Sequence, residues 1–175
     1  FPFSGLPCKG AAVSKRRARR AMSVSRASLV GAPMQKFSCE RLAPQWYPEA
    51  FGAPTAWLVG DVSVEAGAAI WYGAVSRADY APVIVRKGAN VQDNAVIHGP
   101  PGLTTDIGPG ATVGHNCVVH GAILEAECLV ANGSVILDGV TVGAKALVAA
   151  GSVVAAGTNI PPGMPFPGSP AALKR

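Results

Sequence analysis

The stretch 124–160, LEAECLVANGSVILDGVTVGAKALVAAGSVVAAGTNI, carries an aliphatic residue at every sixth position. These positions are Leu124, Val130, Ile136, Val142, Val148, Val154 and Ile160. A period of six fits neither the 3.6-residue period of an amphipathic helix nor the two-residue alternation of a strand. It is typical of a parallel β-helix, in which each short repeat forms one supersecondary unit. The pattern therefore predicts an all-β chain, a left-handed parallel β-helix whose coils each contain three hexapeptide repeats.

The same spacing continues upstream of this stretch. Three further runs, each of three residues, are Leu58, Val64 and Ile70; Val85, Val91 and Ile97; and Ile107, Val113 and Val119. Together with residues 124–160 they predict about five coils. We assign residues 43–175 to the β-helix domain, with 43–54 as an extended lead-in segment. Proline cannot donate to a strand ladder, so Pro161 and Pro162 are expected to end the helix after Ile160.

The N-terminal segment differs in charge from the rest of the chain. Residues 1–36 carry eight Lys or Arg and no Asp or Glu, so the remaining seven basic and ten acidic residues give a net charge of −3. We therefore interpret residues 1–42 as a basic leader that resembles an organelle transit peptide, for mitochondria (matrix side) or alternatively a plastid. A basic tail for nucleic acid or anionic lipid is the competing interpretation. The body shows no nucleic-acid-binding footprint, and no apolar run is long enough to predict a transmembrane segment.

The only histidines in the chain are His98, His115 and His120. Three neutral imidazoles can hold a zinc ion and leave one coordination position open. His98 and His120 each follow an inward aliphatic residue and are 22 residues apart. The step from Ile97 to Ile107 is ten rather than six, so a loop adds four residues and the remaining 18 make one coil. The two imidazoles should therefore stack at about the 4.8 Å spacing of neighbouring strands.

His115 lies one hexad before His120 and is expected to point away from the other two histidines. It should not reach the same ion within its own chain. In a threefold assembly, however, His115 of one subunit can face the His98 and His120 pair of the next. The sequence thus predicts metal sites between subunits, and a closed cyclic trimer supplies three equivalent ones.

Several segments carry a family resemblance: GDVSVEAGAAIWYGAVSRAD, NVQDNAVIHG and VGHNCVVHGA. With them, the chain resembles γ-class carbonic anhydrases from about residue 57 to residue 175. The resemblance implies that His98, His115 and His120 bind zinc, with iron or cobalt as other possible metals. It also implies reversible hydration of carbon dioxide to bicarbonate by a homo- or heterotrimer.

The resemblance also assigns roles to two charged or polar pairs. Arg77 and Asp79 match the family's Arg-x-Asp, so Arg77 would hold the anion or fix Asp79. Gln92 and Asp93 match its Gln-Asp, and Gln92 would orient the attacking oxygen. Both pairs have structural alternatives, an ion pair and a hydrogen-bonded corner. The acidic proton-shuttle loop of some members is absent, and Phe166 stands where a tyrosine is common, so we expect slow, buffer-dependent turnover.

Two other functions remain open at this point. One is a structural subunit of an organellar membrane complex, such as the γ-carbonic-anhydrase-like trimers of mitochondrial complex I. The other is a hexapeptide-repeat acyltransferase that uses coenzyme A, against which the three-histidine spacing argues.

The cysteines show no CxxC pairing. Cys117 and Cys128 are expected to be small buried hydrophobic residues.

Overall fold

The structure is a computed structural model that describes residues 34–39, 42–166 and 168. All regular elements in this part of the chain are β-strands, and most of them are two or three residues long. In chain order they are β1 (Gln35–Phe37), β2 (Gln45–Trp46), β3 (Phe51–Gly52), β4 (Trp57–Val64), β5 (Ala69–Ile70), β6 (Val75–Val85), β7 (Asn90–Val91), β8 (Val96–His98), β9 (Thr105–Ile107), β10 (Thr112–Val113), β11 (Val118–His120), β12 (Ile123–Leu124), β13 (Leu129–Val130), β14 (Val135–Ile136), β15 (Thr141–Val142), β16 (Leu147–Val148), β17 (Val153–Val154), β18 (Asn159–Ile160) and β19 (Pro165–Phe166). The predicted all-β hexapeptide-repeat helix is confirmed.

The strands stack in parallel in three rows, one row for each side of the coil. One row is a seven-stranded sheet with the order β19-β16-β13-β10-β7-β5-β3. The other two rows form one twelve-stranded sheet, because β4 and β6 run across the corner between them. We call the row that contains β1, the start of β4, the start of β6, β8, β11, β14 and β17 the histidine face. Seven strands in a row correspond to seven coils, and the expected number of about five is therefore wrong.

The missing coils lie at the two ends. Strand β1, which lies in residues assigned to the leader, pairs with β4, and β3 of the lead-in segment pairs with β5, so β-helix strands begin at Gln35. At the other end, β19 pairs with β16 and places Phe166 beside Val148. Phe166 is 4% exposed and lies six residues after Ile160, so it is an eighth inward residue of the same phase. The expected end of the helix at Pro161 and Pro162 is wrong, since that pair forms one more corner.

The inward residues make one continuous core. Residues that the spacing of six predicts, such as Ile97, Val119 and Ile136, are fully buried and lie in register on successive coils. Cys117 and Cys128 are buried as expected, without disulfides. The burial of one aliphatic side chain per hexad stabilises each coil by about 1.5–3 kcal/mol per side chain.

The corners use residues that tolerate the left-handed backbone region. At the corner before the histidine face, Asn94 and Asn116 have φ of 57° and 56°. Asn is one of the few residues with a side chain that adopts this conformation readily. These two asparagines therefore form the turns at this corner. Of the residues assigned to the basic leader, 1–33, 40 and 41 lie outside the described residues.

Candidate metal centre

His98 and His120 lie side by side at the end of the histidine face. Strands β8 and β11 pair in parallel with His98 opposite His120, as the 18-residue arithmetic predicts. The ring centroids are 4.8 Å apart, and His98 Nδ1 lies 2.9 Å from His120 Nε2. His98 is only 8% exposed. The fold therefore presents two imidazole nitrogens to each other from neighbouring coils.

The Arg-x-Asp pair lies one coil earlier and contacts His98. Arg77 is in register with His98, and its guanidinium forms an ion pair with Asp79. Asp79 Oδ1 is 3.0 Å from His98 Nε2, while Arg77 NH2 is 3.4 Å from His98 Nδ1. Partial burial raises the pKa of Asp79, but hydrogen bonds from His98 and the backbone together with Arg77 outweigh this, so the net pKa lies below the ordinary value. Ionised Asp79 thus accepts the Nε2–H of His98.

A second carboxylate, which the sequence analysis did not single out, contacts His120. The side chain of Asp138 forms a short hydrogen bond with His120 Nδ1. Asp138 lies on the next coil, where Val119 pairs with Ile136 at a spacing of 17 residues, so Asp138 is one residue beyond the position level with His120. The count that paired the histidines, corrected for the short corner after Val119, leads from His120 to Leu137, so spacing alone does not pair His120 with Asp138.

His115 lies at the corner before the histidine face, whereas His120 lies at the end of that face. His115 Nδ1 is 3.0 Å from Asp93 Oδ2, and its backbone N–H donates to Asn132 Oδ1 at 3.1 Å. The His115 side chain is 45% exposed. Gln92 precedes Asp93 at the same corner, and its backbone N–H donates to Val113 O at 2.9 Å. The Gln-Asp pair therefore belongs to the His115 half of the predicted site.

The predicted site residues thus form two groups within one chain. His98, His120, Arg77 and Asp79 form one group, and His115, Gln92 and Asp93 form the other. Within the described residues of the single chain, no three His, Cys, Asp or Glu side chains converge as metal donors. His115 therefore lies apart from the stacked pair within this part of the chain.

The loop of residues 99–104 packs against the histidine pair. The buried hydroxyl of Thr105 donates to the His98 carbonyl at 2.5 Å and accepts the Gly121 N–H at 3.0 Å. A Cβ on Gly121 would lie 2.9 Å from Pro100 Cγ and 3.2 Å from Leu103 Cβ. The loop therefore lies against the residue that follows His120, and Thr105, directly after the loop, links the backbones of His98 and Gly121.

Comparisons with known proteins place this arrangement among hexapeptide-repeat proteins. The chain is 42% identical over 139 residues to gamma carbonic anhydrase 1, mitochondrial, of Arabidopsis thaliana, covering 76% of the chain and 50% of that protein. It is 40% identical over 110 residues to the carnitine operon protein CaiE of Escherichia coli K12, covering 63% of the chain and 56% of that protein. The chain therefore spans about half the length of the curated relatives it matches. No family model matches it.

Solved structures share the fold over most of the chain. A putative acetyltransferase of Bacillus cereus superposes with a TM-score of 0.80 at 33% identity, covering 81% of this chain and 83% of that one. A hexapeptide transferase family protein of Anaplasma phagocytophilum gives a TM-score of 0.76 at 31% identity, with the same coverage. The names of these similar proteins thus span both carbonic anhydrase and acyl-transfer functions.

Proposed function

Because the chain belongs to the γ-carbonic-anhydrase-like family of hexapeptide-repeat proteins, we propose that it is a metal-dependent carbonic anhydrase. It would catalyse the reversible hydration of carbon dioxide to bicarbonate at sites between the subunits of a trimer. The observation that carries the proposal is the in-register stacking of His98 on His120, with facing nitrogens 2.9 Å apart. Acyl transfer does not explain why two imidazoles should face each other in this way.

The donor set fits zinc. Neutral imidazole is a common zinc ligand, and catalytic sites use three protein ligands with one open position. Asp79 accepts the outer N–H of His98, which leaves the lone pair of Nδ1 directed towards His120. His98 and His120 of one subunit with His115 of a neighbour would complete the set, and iron or cobalt could occupy the same donors. Zinc would supply an activated water, because coordination lowers the pKa of bound water to about 7.

The histidine face supplies a surface on which copies of the chain can meet. Its outward residues form an in-register apolar ladder that runs through Trp57, Val75, Val96, Val118 and Val135. Trp57 is 45% exposed and Val96 is 40% exposed. His115 lies at one edge of this face and the histidine pair at the other, so each copy would offer both halves to its neighbours. Repetition of one such contact around a threefold axis gives a closed ring.

The remaining residues have roles that follow from their contacts. Arg77 is half exposed and positively charged beside His98, so it would attract bicarbonate while holding Asp79 in place. Asp79 fixes the orientation of the His98 ring. Asp93 holds His115 in the same manner, and Gln92 beside it would orient the attacking oxygen.

Metal analysis together with a carbon dioxide hydration assay tests the proposal. We expect about one metal ion per chain in the purified trimer, and loss of both metal and activity in a His98→Ala variant. Asp61→Asn is a control, since Asp61 lies in the corner after Leu58, two coils before His98 and four coils before Asp138. Turnover should be slow at low buffer concentration and should rise with added imidazole, because proton removal needs an acid–base group. Bound metal without activity at any buffer concentration would contradict the enzymatic assignment.

A second role, as a structural subunit of an organellar membrane complex such as complex I, is favoured by exposed apolar residues away from the histidine face. Leu129 and Leu147 lie in register on the seven-stranded sheet, and each is 40% exposed. A trimer closed through the histidine face would leave them uncovered. The described part of the chain contains no helix that could cross a membrane, so such a role would require binding to other subunits.

We propose the mitochondrial matrix as the location, with a plastid as the alternative. Two relatives are named as mitochondrial proteins, and residues 1–36 are basic and free of acidic residues. A fluorescent reporter fused to residues 1–36 should enter mitochondria. Plastid import would move the protein away from complex I, and a diffuse cytosolic signal would contradict an organellar location.

A further inference from the structure

Each of the two stacked imidazoles has a carboxylate beyond its outer nitrogen. Asp79 lies beyond His98 Nε2, and Asp138 lies beyond His120 Nδ1. The two carboxylates reach the pair from opposite directions along the stack of coils, one coil before His98 and one coil after His120. The second of them belongs to no motif that the sequence analysis identified.

The contact with Asp138 determines which nitrogen of His120 carries hydrogen. An ionised carboxylate only accepts hydrogen bonds, and a neutral imidazole has one N–H and one lone pair. The contact therefore places the hydrogen on Nδ1 and the lone pair on Nε2. His120 Nε2 is the atom that lies 2.9 Å from His98 Nδ1. The lone pair is thus directed at the point between the two rings.

The chain is shortened at the corner where this contact is made. The step from Val119 to Leu124 is five residues instead of six. Gly121 forms this corner with φ of 57°, and its carbonyl accepts the Gly139 N–H at 2.8 Å. A Cβ on Gly121 would lie 3.0 Å from Asp138 Oδ1. The absence of a side chain at Gly121 therefore leaves the space through which Asp138 reaches His120.

We propose that Asp138 is a positioning residue that fixes the tautomer and ring orientation of His120, so that Nε2 is free to bind a metal. The metal-binding part of this inference rests on the proposed function. A carboxylate behind a metal-binding histidine typically contributes a factor of about 10–100 to metal affinity. Gly121 takes part indirectly, because its missing side chain permits the contact.

The first measurement uses the metal-free protein. The ring-nitrogen chemical shifts of protein labelled with ¹⁵N-histidine report the tautomer, and three histidines per chain make the spectrum tractable. Wild-type His120 should be in the Nδ1–H form. Asp138→Ala should mix the two tautomers, whereas Asp61→Asn should not. Asp138→Asn should give an intermediate result, because the amide can present either its oxygen or its NH₂ group.

The second measurement is zinc affinity by competition with a chelating dye. We expect Asp138→Ala to weaken binding by about 10–100-fold, Gly121→Ala to weaken it in the same direction, and Asp61→Asn to change it by less than about twofold. An unchanged His120 tautomer, or an unchanged zinc affinity, in folded Asp138→Ala protein overturns the proposal. If the wild type binds no zinc, the proposed function fails, and the tautomer alone then decides whether Asp138 positions His120.

Discussion

Mixing two inactive variants tests whether the metal site is shared between subunits. His115→Ala removes the exposed histidine that pairs with Asp93, and His98→Ala removes one member of the stacked pair. Each variant alone should lose metal, because every site would lack one of its three imidazoles. In mixed trimers, a His115→Ala subunit still has an intact stacked pair, and a His98→Ala subunit still has an intact His115. A full site is therefore restored where the stacked pair of a His115→Ala subunit faces the His115 of a His98→Ala subunit.

The geometry of a closed ring fixes the size of this recovery. A trimer has three contacts, each formed by the pair of one subunit and the His115 of the next. A ring that contains both variants has one contact in the productive order, whichever variant is present twice. Mixed trimers should therefore hold about one metal ion, compared with about three in the wild-type trimer. Random mixing at equal amounts, with unmixed trimers included, should restore about a quarter of the sites.

Two different affinity tags allow mixed trimers to be purified, and their metal content can then be measured by mass spectrometry. The matched control mixes His98→Ala with His120→Ala. These residues lie on adjacent strands of the same chain, so every pair in the mixture is broken and no site should be restored. Failure of verified mixed trimers to recover metal would refute a shared site. Retention of full metal by His115→Ala alone would show that this histidine is not a ligand.

The remaining predictions concern the β-helix that carries the site. Ser76 is fully buried, and its hydroxyl has no hydrogen-bond partner in the described structure. Ser76→Ala should therefore raise the free energy of unfolding, measured in guanidinium titrations, by about 1–3 kcal/mol. A decrease would indicate that the hydroxyl is hydrogen-bonded. Phe166→Ala should lower this free energy by about 3 kcal/mol, because Phe166 fills the last coil, and no change would place it outside the core. Burial raises the pKa of the Cys128 thiol to about 12, so almost none of the reactive thiolate is present at pH 8 in the native protein. Iodoacetamide at pH 8 should therefore modify Cys128 in the unfolded but not in the native protein. Peptide mapping of the treated protein checks this.

The regular part of the fold was predictable from the sequence because one aliphatic residue per hexad is buried. The prediction failed where the inward position holds a different residue type. Ser76 occupies an inward position between Leu58 and Ile97, and Phe166 continues the phase after two prolines. Neither Ser76 nor Phe166 is aliphatic, so the number of coils estimated from aliphatic residues was too low. At the first coils, Trp46 and Phe51 lie in lead-in strands whose sequence shows no hexads, so their pairing depends on the coils above them.

The histidine pair was predictable because register in a β-helix is set by counting. Once the four-residue insertion after Ile97 was removed, His98 and His120 fell one coil apart, and the structure pairs them. Asp138 is one residue out of register with His120, because the corner after Val119 is one residue short, so counting coils does not pair these two residues. The contacts of Asp79 and Asp93 with separate histidines depend on side-chain direction at the corners. Sequence spacing does not determine that direction.

The lengths of the corners connect the fold to the site. Along the edge where the histidine face ends, the step between inward residues is six from Leu58 to Val64, from Ile136 to Val142 and from Val154 to Ile160. It is nine after Ser76, ten after Ile97 and five after Val119. These three irregular corners are the ones that follow Arg77, His98 and His120.

Asp138 itself lies in a regular corner, the step of six from Ile136 to Val142. The longer corner after Ser76 brings Asp79 over His98, and the shorter one at Gly121 leaves room for Asp138 beside His120. The regular coils hold the two imidazoles at the spacing of neighbouring strands, about 4.8 Å, which packing cannot easily change. The irregular corners supply Asp79 for His98 and the space at Gly121 through which Asp138 reaches His120. Breaks in a strict repeat therefore indicate where a β-helix places its functional residues, even before any motif is considered.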